Sequence, residues 1–117
     1  MLSNKMGGTD NMRYGYVRDS LGGEQHIERQ IKLIGEVDVI IQDTDKSKLR
    51  DLLENNAQSG DSIHISDLNR ITRKIDESIS LYEYLSKKGV TLYVNGTEYK
   101  PLSDYMAVLL TSIKEEE

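Results

Sequence analysis

Residues 13–25 read RYGYVRDSLGGEQ. An alternating stretch ends in Arg18-Asp19-Ser20, and Gly22-Gly23 break it before a helical pattern opens at Glu24. Met12, Tyr14, Tyr16 and Arg18 share one face of the expected strand, with Arg13, Gly15 and Val17 on the other. An arginine and a serine at a strand end, on a glycine-loosened turn, admit two readings. One is a helix cap. The other is a nucleophile beside a cationic clamp for phosphate.

The pattern continues on both sides of this stretch. Residues 1–11 carry Gly, Asn and Asp without periodicity and are expected to be a disordered lead. Downstream, Ile27, Ile31 and Ile34 predict one buried helical stripe, and Gly35 stands where a helix-ending glycine belongs. Val37–Ile41 predicts a short buried strand. Residues 42–61 predict a second helix with an apolar face of Leu49, Leu52 and Leu53. Ser62–Ile65 predicts a third strand, and Leu68–Lys74 a polar link bearing arginines. The next helix is expected to bury Ile75, Ile79, Tyr82 and Leu85, and to stop at Lys87-Lys88-Gly89. Val90–Val94 predicts a fourth strand and Asn95-Gly96 a tight turn. After Pro101 an amphipathic helix is expected, capped by Ser103, with Met106, Leu109, Leu110 and Ile113 apolar.

Strands alternating with helices imply an α/β fold. Four to five strands would form a mostly parallel sheet with helices on both faces, followed by the start of a C-terminal helix. Ligands of such sheets bind beyond the carboxyl ends of strands. Arg18–Ser20 follows the first strand and Asn69–Arg73 the third, so the topology can bring them to one edge.

Composition narrows the function classes. The chain has 117 residues, 37% of them hydrophobic and 30% charged, which fits one small globular domain. No apolar run is long enough to cross a bilayer, and the polar start MLSNKMGGTDN is not a signal peptide. Cysteine is absent, which removes disulfides, thiol nucleophiles and thiolate metal sites and fits a cytoplasmic location. His26 and His64 are far apart and match no metal-ligand spacing, so no metal and no cofactor is expected. A net charge of −5 makes the chain a weak DNA binder by itself. Phosphate chemistry would then rest on a few focused arginines.

The plain readings come first. A serine between strand and helix is commonly a cap, and Arg70 and Arg73 at i, i+3 commonly form a solvated face. Tyr14 and Tyr16 read as strand packing, and neither histidine has an evident chemical role. The sharper reading joins them. A serine attacking a phosphodiester needs positive charge around the non-bridging oxygens, and guanidinium groups supply it bidentately and permanently. Arg18, Arg70 and Arg73 with Ser20 make such a set.

At these residues the chain resembles the serine recombinases of the resolvase/invertase family. Gly15, Tyr16, Arg18 and Ser20 match the family's opening strand, and Gln25 and Gln30 match its two glutamines if the turn holds one extra residue. Gly60, Asp61, Leu68, Arg70 and Arg73, in GDSIHISDLNRITRK, match a second segment. LYEYLSKKGVTLYV and PLSDYMAVLLTSIKEEE resemble the helix–turn–strand and the long helix that follow, so the likeness spans about residues 12–117. The resemblance implies a resolvase-like catalytic domain whose Ser20 cleaves and rejoins DNA through a 5′-phosphoserine intermediate. Arg18, Arg70 and Arg73 would hold the scissile phosphate, with Lys46, Gln25 and Gln30 as further DNA-phosphate contacts. It also implies a homodimer, and a tetramer in synapsis.

The chain departs from that pattern in places. Asp19 stands where the family has a small apolar residue, and Asn69 where it has an acid before the first arginine. Lys46 is the best match to a further phosphate-binding arginine, since Arg50 does not align, and the segment after the second strand is short. The terminal helix is expected to be shorter than the family's, and the 117 residues hold no match to its DNA-binding domain, so the domain is expected to be a catalytic part or a small free-standing relative. Two alternatives stay open. One is a degenerate, non-catalytic relative acting by oligomerisation or regulation. The other is a flavodoxin-like or receiver-like domain whose Ser20 and Gly22-Gly23 bind a phosphate group.

Overall fold

A computed structural model describes residues 11–19 and 24–101, with the backbone alone at Glu24 and Gln25. The expectations for the N-terminal lead, Ser20, the glycine turn and the helix after Pro101 fall outside the described residues. The described chain runs β1 (Arg13–Arg18), α1 (Glu24–Ile34), β2 (Val39–Asp43), α2 (Ser47–Asp51) and a widened π turn (Leu52–Asn56). It continues through β3 (Ser62–Ile65), a single 3-10 turn (Leu68–Arg70), α3 (Ile75–Lys88), β4 (Thr91–Val94) and β5 (Thr97–Glu98).

The five strands form one sheet in the order β2-β1-β3-β4-β5. β1 pairs in parallel with both β2 and β3, and β3 pairs in parallel with β4, while β5 folds back antiparallel. The fold is therefore the mostly parallel α/β sheet expected. The turn into β5 is built by Asn95 and Gly96, both at positive φ (50° and 81°), the conformation that a two-residue hairpin of matching twist requires.

Strand alternation sends two sets of side chains to opposite faces. Tyr16, Ile63, Ile65 and Leu92 pack with Leu49 and Leu52 beside α2 and with Leu85 of α3. Val17 packs on the other face with Ile27 and Ile34 of α1. Helices thus cover both faces, and the periodicities of α1 and α3 hold over most of their length. Gly89 ends α3 at φ 81°, where the backbone amides of Gly89 and Val90 close onto Ser86 and Leu85 carbonyls.

Four local expectations are corrected. The second strand begins at Val39 rather than Val37 and is not buried: it is the outer strand of the sheet, with Val39 38% exposed. Apolar content does not encode sheet order, and an outer strand has only one neighbour. The second helix is shorter than residues 42–61, because Gln42 and Asp43 complete β2 and α2 begins at Ser47. In α1, Ile31 is 37% exposed and Gln30 takes the interior place at 4% exposure, since its amide finds backbone partners there. In α3, Ile75 is 78% exposed. As the first helical residue it precedes the buried face, which begins at Ser78.

Two buried aspartates sew the sheet at its ends. At the amino edge, Asp61 accepts the amides of Met12 (2.9 Å) and Gln58 (2.8 Å). At the carboxyl edge, Asp43 is 2% exposed. Its Oδ2 accepts the Tyr16 hydroxyl at 2.9 Å and the amides of Lys48 and Leu49, both at 3.1 Å, while Oδ1 accepts the Thr44 amide at 2.9 Å. One carboxylate thereby joins β1, β2 and the start of α2, leaving its burial well compensated.

Two predictions test this packing. A Cβ at Gly15 would lie 2.7 Å from Ile40 Cδ1 and 3.0 Å from Val37 Cγ2, so Gly15→Ala forces the half-exposed Ile40 side chain aside and is expected to cost about 0.5–1.5 kcal/mol, the scale of a displaced rotamer. Ile40→Val removes Cδ1, so the alanine should cost less in that background; equal costs in urea titrations would contradict the contact. The second prediction concerns pH. Burial first, then the hydrogen bond and charge of Asp43, push the Tyr16 phenol well above its ordinary 10.0. A folded-state value above the unfolded one means that the stabilisation is complete below pH 10.0 and is lost as the pH climbs towards the folded value. Wild-type stability should therefore fall more steeply above pH 10.0 than that of Tyr16→Phe; parallel slopes would refute the coupling.

Candidate active site

Sheet order reverses between β1 and β3: β2 lies to one side of β1, and β3 and β4 to the other. A crevice outside the carboxyl ends of the strands at such a reversal is where ligands of open α/β sheets bind. Arg18 is the last residue of β1, and Asp67–Arg73 follows β3 directly. Because the two strands are adjacent and parallel, both segments leave the sheet at this same edge.

Gln30 fixes how β1 leaves the sheet. Its Oε1 accepts the Arg18 amide at 2.9 Å, and its Nε2 donates to the Arg18 carbonyl at 2.9 Å and to the His26 carbonyl at 3.2 Å. The buried side-chain amide thus replaces a neighbouring strand at the residue that leads into Asp19 and Ser20. On the opposite side, the Asp19 amide donates to the Asp43 carbonyl at 3.0 Å, so parallel pairing continues one residue past the strand. The Arg18 guanidinium reaches the Thr44 carbonyl through Nε and Nη2 at 3.4 and 3.3 Å. These are long, weak contacts, easily exchanged for an anion.

Lys46 follows β2 at the same edge, β2 being the other parallel neighbour of β1. It holds φ 72°, a left-handed backbone that costs a non-glycine residue about 1 kcal/mol or more. The amides of Lys48 and Leu49, bound to Asp43, set the helix start just beyond it. Beside it, hydrogen bonds from Ser47 hold the exposed Asp45 carboxyl below its ordinary range, so that acid stays ionised and offsets part of the local positive charge.

After β3, Asp67 caps the 3-10 turn: its Oδ1 accepts the Asn69 amide at 3.0 Å and its carbonyl accepts the Arg70 amide at 3.1 Å. Asp67 Oδ2 accepts the Ser66 hydroxyl at 3.2 Å and lies 3.3 Å from Arg70 Nε. That Nε is buried and makes no well-aligned hydrogen bond. Arg73 is exposed and lines a cleft of about 260 Å³ with Leu68, Asn69, Thr72, Tyr99 and Pro101. Thr72 steadies the passage into α3, its hydroxyl donating to Glu77 at 2.5 Å and accepting the Lys74 amide at 3.1 Å.

Topology sends Arg18, at the end of β1, and Lys46, Arg70 and Arg73, in the segments after β2 and β3, to one edge of the sheet, with Asp19, Asp45 and Asp67 in the same segments. Gln30 sits in the interior beneath them, while Ser20 and the side chain of Gln25 lie outside the described residues. His26 is exposed, and His64 stacks on Tyr93 at 4.7 Å and bonds to Ser62 at 2.8 Å. Two residues were missed from sequence, Asp43 and Asp67. Asp43 ends an apolar strand, a position where a charge is informative, and Asp67 stands three residues before Arg70, the spacing of a local ion pair. Among the described residues no group of three or more His, Asp or Glu is placed to hold a metal ion, and no helix is long and apolar enough to cross a membrane.

Chemically, this edge suits a phosphate. Arg18 makes only long contacts to the Thr44 carbonyl, and the chain exit that it leads is hydrogen-bonded to Gln30 on one side and to the Asp43 carbonyl on the other. The chain matches the family model described as the resolvase N-terminal domain from residue 13 to residue 117. No curated protein matches it. The matched span covers the sheet, both helical layers and every candidate residue of this edge, and the chain therefore belongs to the resolvase N-terminal domain family, the catalytic-domain type of the serine recombinases.

Proposed function

We propose that this chain provides the catalytic centre of a site-specific DNA recombinase, with Ser20 as its nucleophile. The observation that carries the reading is the common exit of Arg18 and the Arg70–Arg73 segment at the reversal of strand order. In the proposed step the Ser20 oxygen attacks phosphorus and the bond from phosphorus to the 3′ oxygen breaks. The serine proton is lost and the 3′ oxygen is released as a hydroxyl, leaving a 5′-phosphoserine. The reverse attack by a 3′ hydroxyl from a new partner restores the phosphodiester and frees the serine. The ester exchange conserves bond energy, so neither step calls for a nucleotide cofactor.

Arg18, Arg70 and Arg73 stabilise the charge that grows on the non-bridging oxygens, where a fixed guanidinium is worth more than in water. Lys46 adds a point charge without the bidentate fork, and Gln25, which follows the turn in the sequence, adds a further phosphate contact. Gln30, with its amide engaged on Arg18, acts by holding that residue in place. A homodimer cuts one duplex and a tetramer exchanges the ends. At a net charge of −5, affinity for DNA comes chiefly from a joined DNA-binding module. Asp19 and Asn69 favour a second reading, a non-catalytic subunit that assembles with an active recombinase.

The test uses full-length protein and a supercoiled plasmid carrying the DNA that flanks its gene. Wild type is expected to give an SDS-stable adduct whose phosphoserine maps to Ser20 and which Ser20→Ala abolishes. Alanine at Arg18, Arg70 or Arg73 should slow adduct formation by roughly 10²–10³-fold. An undiminished adduct in Ser20→Ala would overturn the assignment, and a wild type without adduct would favour the non-catalytic reading.

A further inference from the structure

The residue just before Arg70, Asn69, carries no charge. Asn69 contributes its backbone amide to Asp67 Oδ1 at 3.0 Å. The carboxylate near Arg70 comes instead from three residues upstream, with Asp67 Oδ2 3.3 Å from Arg70 Nε. Asp67 is itself held by the cap bond to Asn69 and by the Ser66 hydroxyl at 3.2 Å, and Ser66 is buried. Arg70 Nε is shielded from solvent and makes no well-aligned hydrogen bond, so the carboxylate charge is what acts on that end of the guanidinium.

A guanidinium has one edge that includes Nε and another made of the two terminal nitrogens. With the Asp67 carboxylate against the first, the second is left for bidentate contact with phosphate. We infer that Asp67 is the positioning residue for Arg70, doing from i−3 what a carboxylate adjacent to the arginine would otherwise do. The inference rests on the recombinase reading above. Asp67 touches neither the nucleophile nor the DNA in this account; it acts through Arg70 alone.

Asp67→Asn is the informative variant, because asparagine caps a helix start as well as aspartate and so removes the charge while keeping the turn. Two measurements on full-length protein follow. In nitrogen-15 NMR of arginine side chains, the Arg70 Nε–H signal is expected to exchange slowly in wild type and to shift and exchange faster in the variant, with the Asn69 amide little changed. In the plasmid assay, Asp67→Asn should slow adduct formation by roughly 10- to 100-fold at unchanged DNA affinity, the scale of a misplaced reacting group. In an Arg70→Ala background the same change should have less than a twofold effect, which a purely structural role would not give. An unaltered Arg70 signal, an unaltered rate, or an equal loss in the Arg70→Ala background would overturn the inference. A wild type without a Ser20-dependent adduct would remove the recombinase reading on which it stands. A normal wild-type adduct with an unaffected Asp67→Asn would remove the role of Asp67 alone.

Discussion

The hydrogen bonds of the buried Asp43 carboxylate set the geometry on which the rest of the carboxyl edge depends. A carboxylate at 2% exposure persists only when its lone pairs are met. Here they are met by the Tyr16 hydroxyl and by three backbone amides. Each donor comes from a different point of the loop or sheet, so the solvation requirement of one side chain fixes β1, the end of β2 and the start of α2 relative to one another. The Asp43 carbonyl adds the Asp19 amide, and Gln30 grips Arg18 from the other side. The backbone at Arg18 and Asp19 is therefore held from two directions by hydrogen bonds, beyond the apolar packing of Tyr16 and Val17.

The electrostatics of the edge follow from this rigidity. Arg18 makes only long contacts to the Thr44 carbonyl, and Arg73 is exposed. The cost of releasing present partners to accept an anion is accordingly small, while the framework that carries them does not need to reorganise. The acids at the same edge have separate tasks. Asp43 is spent on structure, Asp45 is tied to Ser47, and Asp67 caps a turn beside Arg70. They limit nonspecific attraction for polyanions at a net charge of −5 and leave the arginines as the directional groups.

Much of the fold was legible in local chemistry. Gly35, Gly89 and Asn95-Gly96 mark element ends because each takes a positive φ in the folded chain. The alternation of Tyr14, Gly15, Tyr16 and Val17 told which residues face which helical layer. What stayed hidden was tertiary. The outer place of β2 depends on sheet order, which apolar content does not carry. The burial of Gln30 in place of Ile31 depends on two backbone groups that only the folded chain brings within reach. The exposure of Ile75 follows from its place as the first residue of α3, ahead of the buried face that begins at Ser78. The exit of Arg18 and of the Arg70–Arg73 segment at one edge could be anticipated, since it needs only parallel neighbouring strands, whereas the ties of Asp43 and Asp67 required the folded chain.

We propose that DNA phosphates meet this domain at the carboxyl edge of the sheet rather than at the amino edge. The most direct measurement is an NMR titration of the protein with a short mixed-sequence DNA duplex at low salt, following backbone amides and arginine Nε–H signals together. The account predicts the largest shifts at Arg18–Asp19, Lys46–Lys48 and Ser66–Arg73, with Gln58–Asp61 and Gly89–Val90 at the opposite edge unmoved. Shifts centred on that opposite edge, or none at saturating duplex, would contradict it.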